Sequence, residues 1–143
     1  ELLKQRIFDV LGMTSATGRS DAAGNFIGSS YVYATARDFA KFGYLYLRGG
    51  QWEERQIIPR EWVESARVQH ATDHDSDHGY GLQWWIWKSI IGCMSAQGYE
   101  GQRIIVMPDR DLVVVHLGKW VADTAPTLDS HLLTLIQAFP VST

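Results

Sequence analysis

A serine works as a nucleophile only if a nearby base takes its proton, and two local sequence arrangements supply one. The strained Gly-x-Ser-x-Gly elbow is absent, because no serine here has glycine both two before and two after it. A Ser-x-x-Lys pair on the first turn of a helix would let lysine accept the proton. The positions three before Lys4, Lys41, Lys88 and Lys119 hold Glu1, Asp38, Trp85 and His116, so that pair is absent too. The single cysteine, Cys93, lies beside Met94 in an apolar run, where a thiol packs as a small hydrophobe. The sharper feature is Gln97-Gly98-Tyr99-Glu100-Gly101-Gln102, between two runs that read as neighbouring strands. Gly98 allows close approach of a ligand or another backbone, and the N–H of Tyr99 after it could meet a developing oxyanion. A glycine-rich hairpin without a chemical role accounts for the same spacing.

The most metal-like stretch runs from His70 through Asp73, His74, Asp75 and Asp77 to His78. Histidines four apart align on a helix, but Asp and Ser favour turns, and a calcium loop would need glycine before Gly79 and a carboxylate at Trp84. A solvated loop is the better reading, and no metal site is expected. His116 and His131 fall in apolar patterns where an imidazole serves packing. Trp84, Trp85 and Trp87 lie on one expected strand and divide between its faces. Core packing accounts for them, with the alternative that Trp84 or Trp85 lines an apolar substrate cleft.

These groups must be held by a fold, and the rest of the sequence bounds it. The 143 residues carry 45% apolar, 20% charged and 12% aromatic side chains, a globular composition able to bury a core without staples. A net charge of −3 argues against a phosphate-tracking surface, so no nucleic-acid partner is expected. The longest apolar runs are far too short for a membrane span. One cysteine excludes an internal disulfide framework. Helical spacing runs over residues 1–11, with Gly12 as its stop, and a polar loop follows over 14–30. Thr35 reads as the cap of a strong helix, with Asp38 as a short capping box and Gly49-Gly50 as the end. Pro59 suits the start of a short helix carrying Trp62, Val63 and Ala66. Residues 70–79 read as an exposed loop.

Four strand-like runs follow at 82–88, 93–97, 102–107 and 112–117, with a tight turn at 108–111. Short connections favour an antiparallel meander, and runs apolar on both faces imply a sheet covered on both sides. A last helix starts at Thr124 and Pro126 and turns Leu128, Leu132, Leu135, Ile136 and Phe139 to one face. The class is α+β, an antiparallel sheet covered by helices. Residues 1–80 make the mainly helical and loop part, and 81–143 the strands and final helix.

Several segments together carry a family resemblance. Phe8-Asp9-Val10-Leu11-Gly12-Met13-Thr14 resembles the F-x-P-L-G-M-x-x-T stretch of the serine β-lactamase family, class C-like branch. That branch includes penicillin-binding-type esterases and 6-aminohexanoate-dimer hydrolases. The run from Tyr33 to Gly43 is similar to its T-A-R-D-L-A-R-F-G helix. Gly49-Gly50-Gln51-Trp52 and Ile57-Ile58-Pro59-Arg60-Glu61-Trp62-Val63 resemble N-G-G-x-W…I-x-P-x-E-W-V. Tyr80-Gly81-Leu82-Gln83-Trp84-Trp85 resembles Y-G-Y-G-W-W. The segment from Gly98 to Val115 resembles G-x-x-G-Q-x-x-x-V-x-P-x-x-D-L-V-V-V. The resemblance runs in order over nearly the whole chain.

The resemblance implies the C-terminal portion of a β-lactamase/transpeptidase-like fold. The family's Ser-x-x-Lys and Tyr-x-Asn motifs lie upstream of the L-G-M stretch and are missing here: Asn25 is the only asparagine, with Ala23 two before it. Nucleophile and general base are therefore expected outside this chain, and Glu1 in place of methionine reads as an internal cut. The third motif, Lys/His-Thr-Gly, aligns with Ala96, Gln97 and Gly98, keeping only the glycine. Loss of the cation at Ala96 weakens a β-lactam reading and suits the esterase and amidase branch. The Tyr99 N–H matches the second oxyanion donor, while Ala96, Gln97, Glu100, Trp84 and Trp85 are expected at the substrate. The expected reaction is ester or amide hydrolysis through an acyl-enzyme, without cofactor. The expected partners are a small-molecule substrate and the N-terminal remainder of the protein. A strand edge left unpaired would also suit a homo-oligomer. The alternative is a non-catalytic, ligand-binding or partner-dependent module of the same fold.

Overall fold

The structure, a computed structural model, describes residues 1–72, 78–120 and 125–142. The chain opens on a wide helical turn, Lys4–Phe8, closed by Asp9 N–H to Lys4 O at 2.9 Å. The helix expected through residue 11 is shorter, because the chain then bends through Gly12 at φ +62°. That bend brings Phe8, Leu11 and Met13 together against Leu45.

Two strand pairs interrupt the first half. Strands β1 (Thr17–Gly18) and β2 (Val32–Tyr33) pair across the polar loop. Helix α1 (Ala36–Leu47) follows, capped by Thr35, whose hydroxyl accepts the Asp38 N–H at 3.4 Å. The reciprocal half of the expected capping box is made by Ser15 instead. Its hydroxyl accepts the Thr35 N–H at 3.0 Å, and the Asp38 carboxylate turns to Ser15. Asp38, 4% exposed, accepts from the Ser15 N–H at 2.8 Å, the Ser15 hydroxyl at 2.6 Å and Lys41 at 2.8 Å. The Lys41 hydrogen bond first, then those from Ser15, lower its pKa to about 2. Gly49 and Gly50 end α1 at φ +63° and +84°, values that favour glycine. Strands β3 (Gln51–Trp52) and β4 (Arg55–Gln56) form a hairpin, and α2 (Arg60–Ala66) starts after Pro59.

The second half is one six-stranded antiparallel meander. Its members are β5 (Ala71–Thr72), β6 (His78–Tyr80), β7 (Trp85–Trp87), β8 (Met94–Gln97), β9 (Arg103–Met107) and β10 (Leu112–His116), adjacent in chain order. The polar stretch expected as a loop over 70–79 thus carries two short strands. They are stabilised by their neighbours rather than by their own residues: Tyr80 and His78 of β6 pair in register with Trp85 and Trp87, with ring centroids 4.9 and 5.2 Å apart, and β5 pairs in turn with β6. The core of the metal-like stretch, 73–77, lies outside the described residues, as does Thr124. The expected strand over 82–88 shortens to β7, since Gln83 at φ 64° makes a turn closed by Gly81 N–H to Trp84 O.

Helices cover both faces, as the doubly apolar runs imply. On one face Met94, Val106 and Trp84 pack with Tyr46 of α1 and with Val63 and Ala66 of α2. On the other, Trp87, Cys93, Ile105 and Met107 pack with Leu128, Leu132 and Ile136 of α3 (Ala125–Gln137). Among the described residues no helix is long and apolar enough to cross a membrane.

Candidate active-site strand

Strand β8 is held in the middle of the sheet, and its end carries the glycine-rich segment. The strand is pinned on the α3 side by fully buried Ser95, whose hydroxyl accepts from Trp87 Nε1 at 2.8 Å and Gln97 Nε2 at 3.3 Å. Alternation sends Ala96 to the opposite face, against the core under α1 and α2. Ala96 and Gln97 therefore stand on different sides of the sheet.

Gly98 continues the strand at φ −108°, ψ 177°, and its N–H donates to Gln102 O at 2.8 Å. The chain then makes one tight turn, Tyr99–Gly101, before β9. Tyr99 heads that turn, where a backbone N–H has no partner within the turn. Among the described residues it meets no backbone acceptor elsewhere either. Its ring is 81% exposed. Glu100 sits in the left-handed region at φ 55°, ψ 34°. Its carboxylate lies 2.7 Å from Lys119 Nζ, and its carbonyl accepts the Trp120 N–H at 2.7 Å. Gly101, at φ +88°, has no room for a side chain, since a Cβ would stand 2.6 Å from Trp120 Cβ. The Gly101 carbonyl accepts from His116 Nδ1 at 3.1 Å.

The two tryptophans expected at the substrate separate. Trp84 is 2% exposed and packs between Phe42 and Tyr46, with centroids at 6.2 and 4.6 Å, so its ring belongs to the core. Trp85, half-buried on the other face, sits in register with Ser95, two residues from Gln97 on β8. Cys93 is fully buried, and burial pushes its thiol up to about 12, the condition of an inert packing residue. Sequence reasoning missed Lys119, Trp120 and His116. They follow or end β10, and only the pairing of β10 with β9 carries them to the turn.

The profile of the Beta-lactamase family matches residues 1–135. The chain belongs to the beta-lactamase family. Within that family, it is 31% identical over 114 residues to the 6-aminohexanoate-dimer hydrolase of Paenarthrobacter ureafaciens, covering 73% of this chain and 29% of that protein. A Bacillus anthracis structure designated a 6-aminohexanoate-dimer hydrolase superposes with TM-score 0.84 at 27% identity, over 96% of this chain and 38% of that one. An octameric penicillin-binding protein homologue from Pyrococcus abyssi shares the fold at TM-score 0.62 and 16% identity, over 94% of this chain and 37% of that one. The β-lactamase/transpeptidase-like fold is thus established, and the chain spans about a third of the length of these relatives.

Proposed function

We propose that this chain supplies the oxyanion side of a serine hydrolase that cleaves ester or amide bonds through an acyl-enzyme. The observation that carries the reading is the Tyr99 N–H, which heads a tight turn after an extended glycine and meets no backbone acceptor among the described residues. The serine, with the lysine and tyrosine that manage its proton, belongs to an N-terminal remainder outside these residues. In the reaction that serine attacks the substrate carbonyl. The oxygen gains charge and accepts from the Tyr99 N–H and the serine's own N–H. Collapse of this intermediate breaks the ester or amide bond and expels the alcohol or amine, which takes the proton given up by the serine, and water then hydrolyses the acyl-serine to the acid and free serine. Gln97 and Trp85, which share the Ser95 face of the sheet, form this chain's wall of the cleft, while Ala96 packs on the opposite face. The name of the Paenarthrobacter relative, a hydrolase of a 6-aminohexanoate dimer, suits an amide substrate.

The outer edge of β10 offers the place for that remainder. Among the described residues β10 ends the sheet, and beside it a recess of about 280 Å³ is lined by Ala40, Tyr44, Leu47, Trp52 and Val113 together with the charged Arg37, Lys41 and Asp111. An edge unpaired among the described residues, beside a recess of mixed apolar and charged side chains, invites another strand, from the remainder or from a second copy. A second reading, a non-catalytic ligand-binding module, is favoured by one observation: no cation stands at Ala96 or Gln97 to hold a substrate carboxylate. One experiment separates them. The chain alone should leave p-nitrophenyl esters intact, and the protein with its upstream remainder should turn them over and take a serine-directed fluorophosphonate label upstream. Absence of turnover and of labelling in the longer protein would favour the module.

A further inference from the structure

We propose that Glu100 is a positioning residue, whose ion pair with Lys119 straps the Tyr99–Gly101 turn to the segment after β10 and so aims the Tyr99 N–H. The proposal deepens the hydrolase reading and rests on it. Glu100 occupies a left-handed conformation that glycine or asparagine takes more readily. Such a conformation persists where the surroundings over-determine it. Here they do so from one short segment. Lys119 Nζ is 2.7 Å from the Glu100 carboxylate, the Trp120 N–H reaches the Glu100 carbonyl at 2.7 Å, and His116 Nδ1 reaches the Gly101 carbonyl at 3.1 Å.

The base of the turn is closed independently by Gly98 N–H to Gln102 O at 2.8 Å. The ladder therefore sets where the turn begins and ends, and the strap sets how its apex is rotated. Tyr99 lies between the two, so its N–H direction follows from both. The carboxylate, expected from sequence at the substrate, is held by Lys119 instead. Lys119 is 71% exposed and the Glu100 side chain 29% exposed, so the pair is partly screened and its loss should be modest.

The test uses the protein with its upstream remainder and the variants Glu100→Gln, Glu100→Gly, Lys119→Met, Lys119→Arg and the Glu100→Gln/Lys119→Met double. Two readouts are taken: hydrogen exchange at the Trp120 amide, and kcat and KM for p-nitrophenyl butyrate. Glu100→Gln and Lys119→Met should each speed Trp120 exchange and lower kcat by about two- to fivefold, with KM unchanged. The double variant should be no worse than either single, and Lys119→Arg should restore both readouts. Glu100→Gly should also lose kcat although it relieves the backbone, which a residue mattering only through strain would not do. Unchanged Trp120 exchange in Glu100→Gln and Lys119→Met overturns the strap. Faster exchange with wild-type kcat, or effects that add in the double variant, overturns its positioning role. Faster exchange in a protein that shows no hydrolysis at all instead overturns the hydrolase reading, and the aiming role with it.

Discussion

Replacing Tyr99 by proline removes one hydrogen atom from the proposed site and little else. Proline lacks the N–H, so the oxyanion loses a donor. The backbone is already shaped for it: Gly98 before it is extended at ψ 177°, as a residue preceding proline must be, and Tyr99 opens a helical turn, a position proline favours. Gly98 has no side chain to clash with the ring, and the Tyr99 carbonyl that accepts the Gln102 N–H at 3.4 Å is retained. With the tyrosine ring 81% exposed, little apolar burial is lost. The melting temperature should therefore change by only a few degrees. Removing one oxyanion donor costs about 100- to 1000-fold in kcat, or roughly 3–4 kcal/mol of transition-state stabilisation. In the protein with its upstream remainder, Tyr99→Pro should lose that much kcat on p-nitrophenyl esters with KM nearly unchanged. Tyr99→Ala, which keeps the N–H, should stay within a few-fold of wild type. A folded Tyr99→Pro protein with wild-type kcat, or an equal loss in Tyr99→Ala, would refute the assignment of the N–H.

Two further predictions concern the frame that holds the site. Because the Asp38 carboxyl titrates at about 2 against an ordinary 3.8, the stability it confers is whole above about pH 4 and is lost as pH falls toward 2. Urea midpoints measured across that window should drop for wild type and be flatter for Asp38→Asn, and parallel curves would show that the carboxylate is not the titrating support. Gly43 tests packing against propensity. Alanine should favour the helix by up to about 1 kcal/mol, yet its Cβ would stand 2.7 Å from Val113 Cγ1 and 2.9 Å from Ile104 Cγ2. Overpacking costs about 1–3 kcal/mol, so Gly43→Ala should lower urea stability by up to about 2 kcal/mol, and adding Val113→Ala should recover part of it. A stabilised Gly43→Ala would mean that α1 can lift off β10 freely.

How far the sequence could be read varies with how local each feature is. The four apolar runs appear as β7 to β10, and Thr35 and Gly49-Gly50 mark the ends of α1, because apolar runs, caps and left-handed glycines act within a few residues. Strand β6 escaped detection because His78 and Tyr80 are ordered across the ladder by Trp87 and Trp85, nine and five positions away, and β5 because it forms only against β6. The glycine-rich turn was legible as a candidate site from Gly98 and Gly101, and the positive φ of Gly101 is a local requirement for glycine, although the Trp120 side chain that leaves its Cβ no room is not. The partner of Glu100 was not, since nothing near residue 100 announces Lys119.

By itself the sequence determined the α+β class, the antiparallel order, the family and the position of the glycine-rich turn, all of which follow from residue patterns along the chain. Tertiary structure alone decided which tryptophan enters the core, that Ala96 and Gln97 face opposite sides, that Asp38 holds Ser15 twenty-three residues away, and that Glu100 is gripped by Lys119. Each of these depends on which strands and helices lie side by side. Such contacts gain their free energy only once the register of the whole sheet has been set.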